Sequence, residues 1–453
     1  MGSEHSILGL LPTFYSYKTT MFMLDSSASF NRRLFLKQAT GLAVFSIVPR
    51  HVLGRGFLAP SDQTALGFIG LGKQSQGLRG QFLKNNARVM AACDVDPRKA
   101  TAFSDAVNAH YASQANAAAY KGCLLYDDYR TLLNNKDVDA VVIATPDHWH
   151  SVIAIQAAKA GKDIYCEKPL SLTIAEGREM VNATRKYKRV FQTGNMQRSW
   201  AEFRQAVELV RGGYIGDLKT INVNVGGPPR PWDLEAQPLP TGVNWNAWLG
   251  PNTIDRPYNN VLLPTPKDTF WGKWRDIDEF GGGGMTDWGA HMFDIAQWGL
   301  GMDNSGPVEL TPPTDTSGKG LVYRYANGVV MNHQPQEGKQ FCHFVGSKGE
   351  VKVARGELTT TPAALRDQVI GEGERKVSFS DNHYKNFLDA IQSRKNPICD
   401  VEVGHRTASV CTIGNIAYRL KRPLRWNPTT EKFENDAEAN QLLSRPMRKE
   451  WTV

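Results

Sequence analysis

Cys-x-x-Cys pairs, membrane-length apolar runs and basic stripes are all missing from this chain, and each absence excludes a class of protein. The 453 residues contain six cysteines without such a pair, which argues against a zinc ribbon or a disulfide scaffold and for small buried hydrophobic side chains. Residues 39–48 are apolar but fall short of the about 20 residues that span a bilayer. Half of the net charge of +8 comes from residues 1–60, with six Lys or Arg against two acidic residues. The remainder has no basic stripe interleaved with aromatic residues, so we expect no nucleic acid partner.

The first sixty residues carry the pattern of an export signal. Arg32 and Arg33 precede Phe-Leu-Lys and the apolar run at residues 39–48, an order typical of a twin-arginine signal. We therefore predict a leader over residues 1–60, the twin-arginine export machinery as a partner and a periplasmic location. Because this route carries folded proteins, a tightly bound cofactor can leave the cytoplasm inside its protein. No Ala-x-Ala cleavage site stands out, so retention as a membrane tether stays open.

Short apolar strands and helices alternate between residues 61 and 190. Strands are predicted at residues 66–70, 88–93, 140–144 and 163–166, and a helix at residues 151–160 that ends at Gly161. The strand at residues 140–144 is apolar throughout, as in a strand buried on both faces of a parallel sheet. The predicted fold class is therefore α/β, with a Rossmann-type doubly wound parallel sheet over residues 61–190.

The composition of the sequence and its pattern of apolar residues change after residue 190. Alternating strands are predicted at residues 218–225, 321–325, 329–333, 341–345 and 350–353, and helices at residues 203–211, 383–393 and 407–420. Residues 191–430 are thus predicted to form an α/β domain with a large, mostly antiparallel open sheet, followed by a tail over residues 431–453. Residues 226–283 are rich in Pro, Trp, Gly and Asn, and such a loop-rich stretch inside a domain usually covers a site.

A glycine-rich turn follows the first predicted strand. Glycines there let the backbone turn tightly and approach a pyrophosphate, whose charge the next helix N-terminus meets. Asp94 ends the second strand, where a carboxylate bonds a ribose 2′-hydroxyl, so NAD is favoured over NADP, although Arg98 blurs that preference. Ser75 stands where a third glycine is usual. The nucleotide-binding residues predicted from this turn are Gly67, Gly70, Gly72, Lys73, Gln74, Ser75 and Asp94.

Three later segments carry the candidate catalytic groups. Residues 145–150 and 167–169 follow the third and fourth strands, at the carboxyl edge where ligands bind in open α/β sheets. Lys168 can move a proton there if its surroundings lower its pKa. After four glycines, a helix is predicted from near residue 286, and it places Asp287 and His291 on one face. A carboxylate beside an imidazole suits proton removal from a hydroxyl. A structural pair and a zinc site are the alternatives, but no third metal ligand is evident nearby, so no metal is predicted.

Together these motifs resemble the glucose-fructose oxidoreductase / inositol dehydrogenase / MocA (Gfo/Idh/MocA) family over roughly residues 62–427. The resemblance implies that Lys168, Asp287 and His291 are catalytic, that hydride passes between a sugar or polyol carbon and the nicotinamide, and that the open sheet forms a homo-oligomer. The nucleotide contacts expected from the two strand-end loops are Thr145, Pro146, His148, His150, Glu167 and Lys168. The substrate contacts expected are Asn195, Gln197, Arg198, Trp149 and Asp294.

Three functions stay open at this stage. The first is a nicotinamide-dependent oxidoreductase acting on a hydroxyl of a sugar, glycoside or polyol with tightly bound NAD(H). The second is a glycoside hydrolase, lyase or epimerase that uses bound NAD transiently, because oxidising a ring hydroxyl acidifies the neighbouring C–H. The third is a non-enzymatic carbohydrate-binding protein, against which the intact Lys168, Asp287 and His291 argue.

Overall fold

The computed structural model describes residues 63–113, 120–313, 320–335 and 338–452, which belong to one compact unit. The predicted leader and its twin-arginine motif lie outside the described residues. Among the residues that are described, no helix is both long enough and apolar enough to cross a membrane.

A six-stranded parallel sheet forms the first half of the structure. Its order is β3-β2-β1-β4-β5-β6, so the strand sequence reverses between β1 and β4, which is where a doubly wound sheet binds its ligand. The predicted Rossmann fold is thereby confirmed. The strands are β1 (Ala65–Ile69), β2 (Arg88–Cys93), β3 (Leu124–Tyr126), β4 (Ala140–Ile143), β5 (Asp163–Cys166) and β6 (Phe191–Thr193). The helices are α1 (Lys73–Lys84), α2 (Pro97–Ala112), α3 (Tyr129–Leu133), α4 (Asp147–Lys159) and α5 (Ile174–Lys186).

Helix α4 begins four residues before the predicted start at residue 151. Pro146 lies at its N-cap with a φ of −59°, and because the proline ring fixes that angle the chain enters the helix directly after it. Gly161, with a φ of +80°, follows the end of α4 as predicted. The early start places residues 147–150 in the first helical turn, at the carboxyl edge of the sheet.

A nine-stranded sheet forms the second half. Its order is β13-β12-β11-β7-β10-β9-β8-β14-β15, and only β7 and β10 pair in parallel among the pairs described, which confirms the mostly antiparallel prediction. The strands are β7 (Leu218–Asn224), β8 (Glu309–Thr311), β9 (Val322–Arg324), β10 (Val330–Gln334), β11 (Phe341–Gly346), β12 (Glu350–Ala354), β13 (Glu357–Thr361), β14 (Leu424–Asn427) and β15 (Lys432–Phe433). The helices are α6 (Ala201–Arg211), α7 (Trp245–Leu249), α8 (Gly284–Asp287), α9 (Gly289–Leu300), α10 (His383–Ser393), α11 (Val401–Leu420) and α12 (Ala437–Gln441).

One face of the nine-stranded sheet is covered and the other is more open. Helices α6, α9 and α11 share a single hydrophobic core with the sheet. Burial alternates along β10 and β11, because every second side chain points into that core. All six cysteines are buried and unpaired, as predicted.

Segments from the C-terminal half return to the first sheet. Phe387 of α10 packs against Phe82 and Tyr165, with ring centroids 6.1 and 5.8 Å apart. Near the end of the chain, Trp451 joins the core formed with α4 and α5. The chain therefore crosses between the two sheets more than once, and the contiguous domain boundary at residue 190 stays a prediction.

The loop-rich stretch at residues 226–283 has a small core of its own. Trp248 and Phe280 belong to it, and the Trp245 and Trp248 rings stack with centroids 4.4 Å apart. From this stretch, residues 262–264 and 271–276 line the two cavities described below, at the carboxyl edge of the parallel sheet. The stretch thus covers a site, as predicted.

Candidate active site

The glycine turn after β1 provides the close approach that a dinucleotide needs. Gly70 has a φ of +84°, and a Cβ on it would lie 2.6 Å from the backbone nitrogen of Thr145. Beside Gly72 there is open space, and the N-terminus of α1 carries no side-chain cap. Its first N–H groups are therefore available to an anion. Ser75 is buried and its Oγ donates to the Gly72 carbonyl at 2.7 Å, so this departure from a third glycine holds the first turn of α1 in place.

Asp94 lies at the end of β2 and is held by the same turn. Its carboxylate accepts hydrogen bonds from the backbone nitrogens of Leu71 at 2.6 Å and Asp96 at 2.9 Å. Burial raises the pKa of Asp94, opposed by the positive charge of Lys99. Arg98, predicted to blur the choice between NAD and NADP, pairs instead with Asp96 at 2.7 Å.

A cleft of about 620 Å³ runs along this edge of the sheet, a size typical of cofactor sites. The turn glycines, the uncapped N-terminus of α1 and the strand-end carboxylate all meet there, so the residues present fit a dinucleotide. The predicted residues that line it are Gly70, Gly72, Lys73, Gln74, Asp94, Thr145, Pro146 and Trp149.

Six predicted nucleotide contacts do not line this cleft, and two of them, Glu167 and Lys168, line the second cavity instead. Ser75 is another, and Gly67 faces the core, where a Cβ would lie 2.8 Å from Leu132. His148 is buried, and its Nε2 donates to the Trp248 carbonyl at 3.0 Å. The ring nitrogens of His150 lie 2.8 Å from the Pro169 carbonyl oxygen and 2.9 Å from that of Thr145. His150 thus links the loop after β4 to the loop after β5 and does not contact the cleft.

A second cavity, of about 630 Å³, adjoins the nucleotide cleft and contains the three predicted catalytic residues, Lys168, Asp287 and His291. Glu167 lies there too, rather than in the nucleotide cleft. The two cavities share a wall, so a group bound at the end of the first faces the second. The shared residues are Gln74, Ala144, Thr145, Trp271, Gly272, Trp274 and Arg275.

Lys168 is fixed by two bonds to one residue. Its Nζ donates to the Asp287 carboxylate at 2.6 Å and to the Asp287 carbonyl oxygen at 2.9 Å. The carbonyl bond corrects a sequence prediction, because Asp287 and His291 do not share one continuous helix: α8 ends at Asp287 and α9 begins at Gly289. The His291 nitrogen donates to the Trp288 carbonyl instead, at 3.0 Å. The break leaves the Asp287 carbonyl free to accept from Lys168.

The pKa values of Asp287 and His291 are both lowered, for different reasons. Although burial raises it, the charges of Lys168 and Arg275 hold the pKa of Asp287 well below its usual range. Arg275 Nε lies 3.4 Å from the Asp287 carboxylate. For His291, burial first and the charge of Lys168 next hold the pKa well below its usual value. Within the described residues neither ring nitrogen of His291 has a hydrogen-bond partner. The expected Asp287–His291 bond does not form within the described residues, and the lowered pKa favours a neutral imidazole in the cavity lining.

Two further carboxyl groups in this cavity are deeply buried. Burial raises the pKa of Glu167, which accepts a bond from Gln74 Nε2 at 3.0 Å, and raises that of Asp147 well above its usual range. A Cβ on Gly194 would lie 2.9 Å from the Glu167 carboxyl, so that glycine makes room for it. Nowhere in the described ranges do three or more His, Cys, Asp or Glu side chains gather as a metal site.

The predicted substrate contacts lie mostly behind the cavity wall. Asn195 Nδ2 donates to the Ala290 carbonyl at 2.7 Å. Arg198 and Asp294 are each 1% exposed and form a two-bond pair at 2.7 and 2.8 Å, and Arg198 also binds Asp303. None of these lines the cavity. Gln197 is buried as well, but its Oε1 accepts from Arg355, which does line the cavity.

The Arg198–Asp294 pair gives a stability prediction. Substituting Asp294→Ala leaves the buried guanidinium with Asp303 alone, and we expect the free energy of unfolding to fall by about 3–5 kcal/mol. Chemical denaturation followed by tryptophan fluorescence measures the change. The control is Asp389→Ala, which removes the exposed pair with Lys385 and is expected to cost less than about 1 kcal/mol. Equal shifts for the two variants would contradict this role.

Several cavity residues carried no recognisable sequence motif. Trp271, Trp274 and Arg275 come from the loop-rich stretch, and Arg355 from the turn between β12 and β13. Arg275 packs over the Trp274 ring at 4.2 Å. The Trp-rich composition of residues 226–283 is the one sequence signal for Trp271 and Trp274, and it does not separate them from Trp245 and Trp248, which stack on each other.

Two family models match this chain, and they are consecutive parts of one family. Residues 65–195 match the NAD-binding Rossmann fold of the Gfo/Idh/MocA oxidoreductase family, and residues 230–453 match that family's C-terminal alpha/beta domain. The chain belongs to the Gfo/Idh/MocA family. The predicted NAD cofactor and the predicted enzyme type are thereby confirmed at the level of the family.

Relatives in the Gfo/Idh/MocA family carry different activities in their names. The chain is 33% identical over 183 residues to a glycosyl hydrolase family 109 protein of Shewanella sp. (strain W3-18-1), covering 38% of each chain. It is 33% identical over 133 residues to an inositol 2-dehydrogenase of Salmonella paratyphi B, covering 29% of this chain and 36% of that one. The matches thus span little more than a third of either relative. The WlbA dehydrogenase of Bordetella pertussis, solved with NADH and UDP-GlcNAcA, has a similar fold, with a TM-score of 0.58 at 18% identity over 81% of this chain and 99% of that one.

Proposed function

We propose that this protein oxidises a hydroxyl group of a sugar, glycoside or polyol, using tightly bound NAD and a proton relay made of Lys168, Asp287 and His291. The observation that carries the proposal is the position of those three side chains in a cavity that shares its wall with the nucleotide cleft. A fixed ammonium and a neutral imidazole beside a nicotinamide site are the groups that hydroxyl oxidation requires.

Each side chain has a distinct task in this proposal. Bound NAD supplies the hydride acceptor. Gly70, Gly72 and Lys73 hold its pyrophosphate, and Asp94 holds the adenosine ribose. In the neighbouring cavity His291 takes the hydroxyl proton, because its imidazole is neutral.

Lys168 and Asp287 act as a unit on the substrate oxygen. The Lys168 ammonium lies beside that oxygen and stabilises the negative charge that develops on it as the proton leaves. Asp287 holds Lys168 in position through its carboxylate and its carbonyl oxygen. The residues of this unit come from the end of β5 and the end of α8, so both halves of the structure contribute.

The end of the chain supports retention of the nucleotide. Trp451 packs edge-on against Trp149 with ring centroids 4.8 Å apart, and the Arg130 guanidinium lies 4.7 Å from its ring. All three line the nucleotide cleft. Arg445 anchors the same tail through Glu176 at 2.8 Å. A cleft closed by two separate segments, this tail and the loop-rich stretch, favours slow release of its ligand.

A second candidate function uses the same site without net oxidation. The similarity to a glycosyl hydrolase family 109 protein favours an enzyme that oxidises a ring hydroxyl transiently, eliminates or epimerises at the neighbouring carbon and then returns the hydride. Lys168 and His291 serve equally well in that cycle, since both of its ends are hydroxyl oxidations or reductions.

Export and assembly belong to the same proposal. The Arg32-Arg33 signal supports export of the folded protein, with its nucleotide, through the twin-arginine route to the periplasm, with a membrane tether as the alternative if the leader is kept. The half-exposed outer face of the nine-stranded sheet supports a homo-oligomer formed through that face.

One experiment tests the proposed function. The full chain is purified from the periplasmic fraction of an exporting host and denatured, and the released nucleotide is identified and counted. We expect close to one NAD(H) per chain, and protein incubated with a sugar panel should then be scanned at 340 nm. Turnover with an added electron acceptor supports the oxidoreductase, whereas bound NAD(H) without steady-state reduction favours the transient cycle. Protein that folds without nucleotide and binds none would contradict both.

A further inference from the structure

The substrate cavity contains a cation, Arg355, that has no task in the proposed chemistry and no carboxylate partner among the described residues. Arg355 lies on the turn between β12 and β13, is half-buried and lines the cavity with His291 and Lys168. Its guanidinium lies 4.5 Å from the ring centroid of Trp288 and 5.2 Å from that of Trp200. Stacking on aromatic faces in this way holds a guanidinium in a fixed plane.

Arg355 differs from the other cations of the cavity because no carboxylate pairs with it. Lys168 pairs with Asp287 at 2.6 Å and Arg275 approaches the same carboxylate at 3.4 Å. Lys273 lies 3.7 Å from Asp276. Arg355 donates only from Nε, to the neutral amide of Gln197 at 3.0 Å. In the part of the chain that the structure describes, its two terminal nitrogens have no acceptor.

The surroundings of Arg355 affect its charge and that of its neighbours. Burial lowers the pKa of Arg355, against the opposing effects of Asp287 and Glu167. Burial also raises the pKa of Glu167 and Asp147, which favours their neutral forms. Among the described cations that line the cavity, Arg355 alone has no carboxylate partner, so an anionic ligand would supply the partner that the protein does not.

We propose that Arg355 selects an acidic sugar: the substrate carries a carboxylate, as in a uronic or aldonic acid, and the two terminal nitrogens of Arg355 bind it. This inference rests on the proposed function, since it concerns the substrate of the same cavity. A planar guanidinium held between aromatic rings matches a carboxylate through two parallel bonds. A phosphate dianion suits the place less well, because only one unpaired cation is present and Asp287 lies in the same cavity.

Equilibrium binding to the nucleotide-loaded protein tests this directly. D-glucuronate is compared with D-glucose, and D-galacturonate with D-galactose, by calorimetry at low salt. We expect the acid of at least one pair to bind on the order of 10- to 100-fold more tightly than its neutral partner, as hydrogen bonds to a charged group allow. Arg355→Met should remove that preference while affinity for the neutral sugar changes by less than about threefold. The matched control is Arg324→Met, an exposed arginine on β9 that is outside the cavity, which should keep the preference.

Several outcomes would overturn the inference. They are equal affinity for acid and neutral sugars in the unmodified protein, no binding of either at millimolar concentration, an equal loss of both in Arg355→Met, and tighter binding of D-glucose 6-phosphate than of D-glucuronate. Failure of the proposed function has a different signature, namely absence of bound nucleotide. Oxidation of a neutral sugar by nucleotide-loaded protein would support the proposed function and contradict the inference that the substrate is acidic.

Discussion

Substituting Lys168→Met is expected to lower kcat for oxidation of the sugar hydroxyl by on the order of 10²- to 10⁴-fold. Methionine has a similar length but no ammonium, so the charge that forms on the substrate oxygen loses its stabilising partner. KM should change much less, because Lys168 already spends two bonds on Asp287 and contributes little to ground-state binding. Steady-state kinetics with the substrate identified by the sugar panel measure both constants.

Two controls separate chemistry from folding for this variant. Lys168→Met should retain its nucleotide, since Lys168 lines the second cavity and not the nucleotide cleft. Lys219→Met, at an exposed lysine on β7, should leave kcat unchanged. If Lys168→Met keeps its nucleotide and turns over within about threefold of the unmodified protein, Lys168 has no part in the reaction.

The parallel sheet and its cofactor turn could be predicted because their signals are local. Strands buried on both faces are apolar throughout, as in β4, and the glycine turn must follow β1 directly. The two edge strands, β3 and β6, escaped prediction, because each has only three residues and so no detectable period.

The break between α8 and α9 shows what a helical period cannot reveal. Asp287 and His291 are correctly spaced for one helical face, although Gly289 between them disfavours a helix. At the interruption, Lys168, which is distant in sequence, donates to the Asp287 carbonyl, and the His291 nitrogen donates to the Trp288 carbonyl. A competing donor brought in by tertiary structure is not encoded in the local pattern.

Whether a charged side chain near the site faces the cavity is the feature that the sequence predicts least well. Arg198 and Arg355 are both arginines near residues that contact the cavity, yet Arg198 is sealed in a pair with Asp294 whereas Arg355 faces the cavity. The two arginines differ in whether the guanidinium lies inside the cavity or behind its wall. Tertiary packing between the two sheets determines that position. Sequence spacing has no bearing on it.

Substituting His291→Asn is expected to lower kcat/KM by on the order of 10²- to 10⁴-fold and to change its dependence on pH. Only the neutral imidazole accepts a proton, and because burial and the charge of Lys168 hold the pKa of His291 well below its usual value, the neutral form dominates above that pKa. The unmodified protein should therefore show a flat kcat/KM from about pH 6 to pH 8 and lose activity only at lower pH, below the value of about 6.5 typical of an ordinary histidine. In His291→Asn the acid limb due to this group should vanish.

The matched control is His343→Asn on β11. The His343 imidazole lies 3.0 Å from the Glu350 carboxylate, and His343 does not line the cavity. We expect its rate and pH profile to equal those of the unmodified protein. In a His291→Ala variant, added imidazole should restore part of the lost rate, which a purely structural histidine would not allow. Two results would mean that another group accepts the hydroxyl proton: an acid limb centred near pH 6.5 in the unmodified protein, or an acid limb that persists in His291→Asn. Glu167 would then be the next residue to test, because it lies in the same cavity and burial raises its pKa.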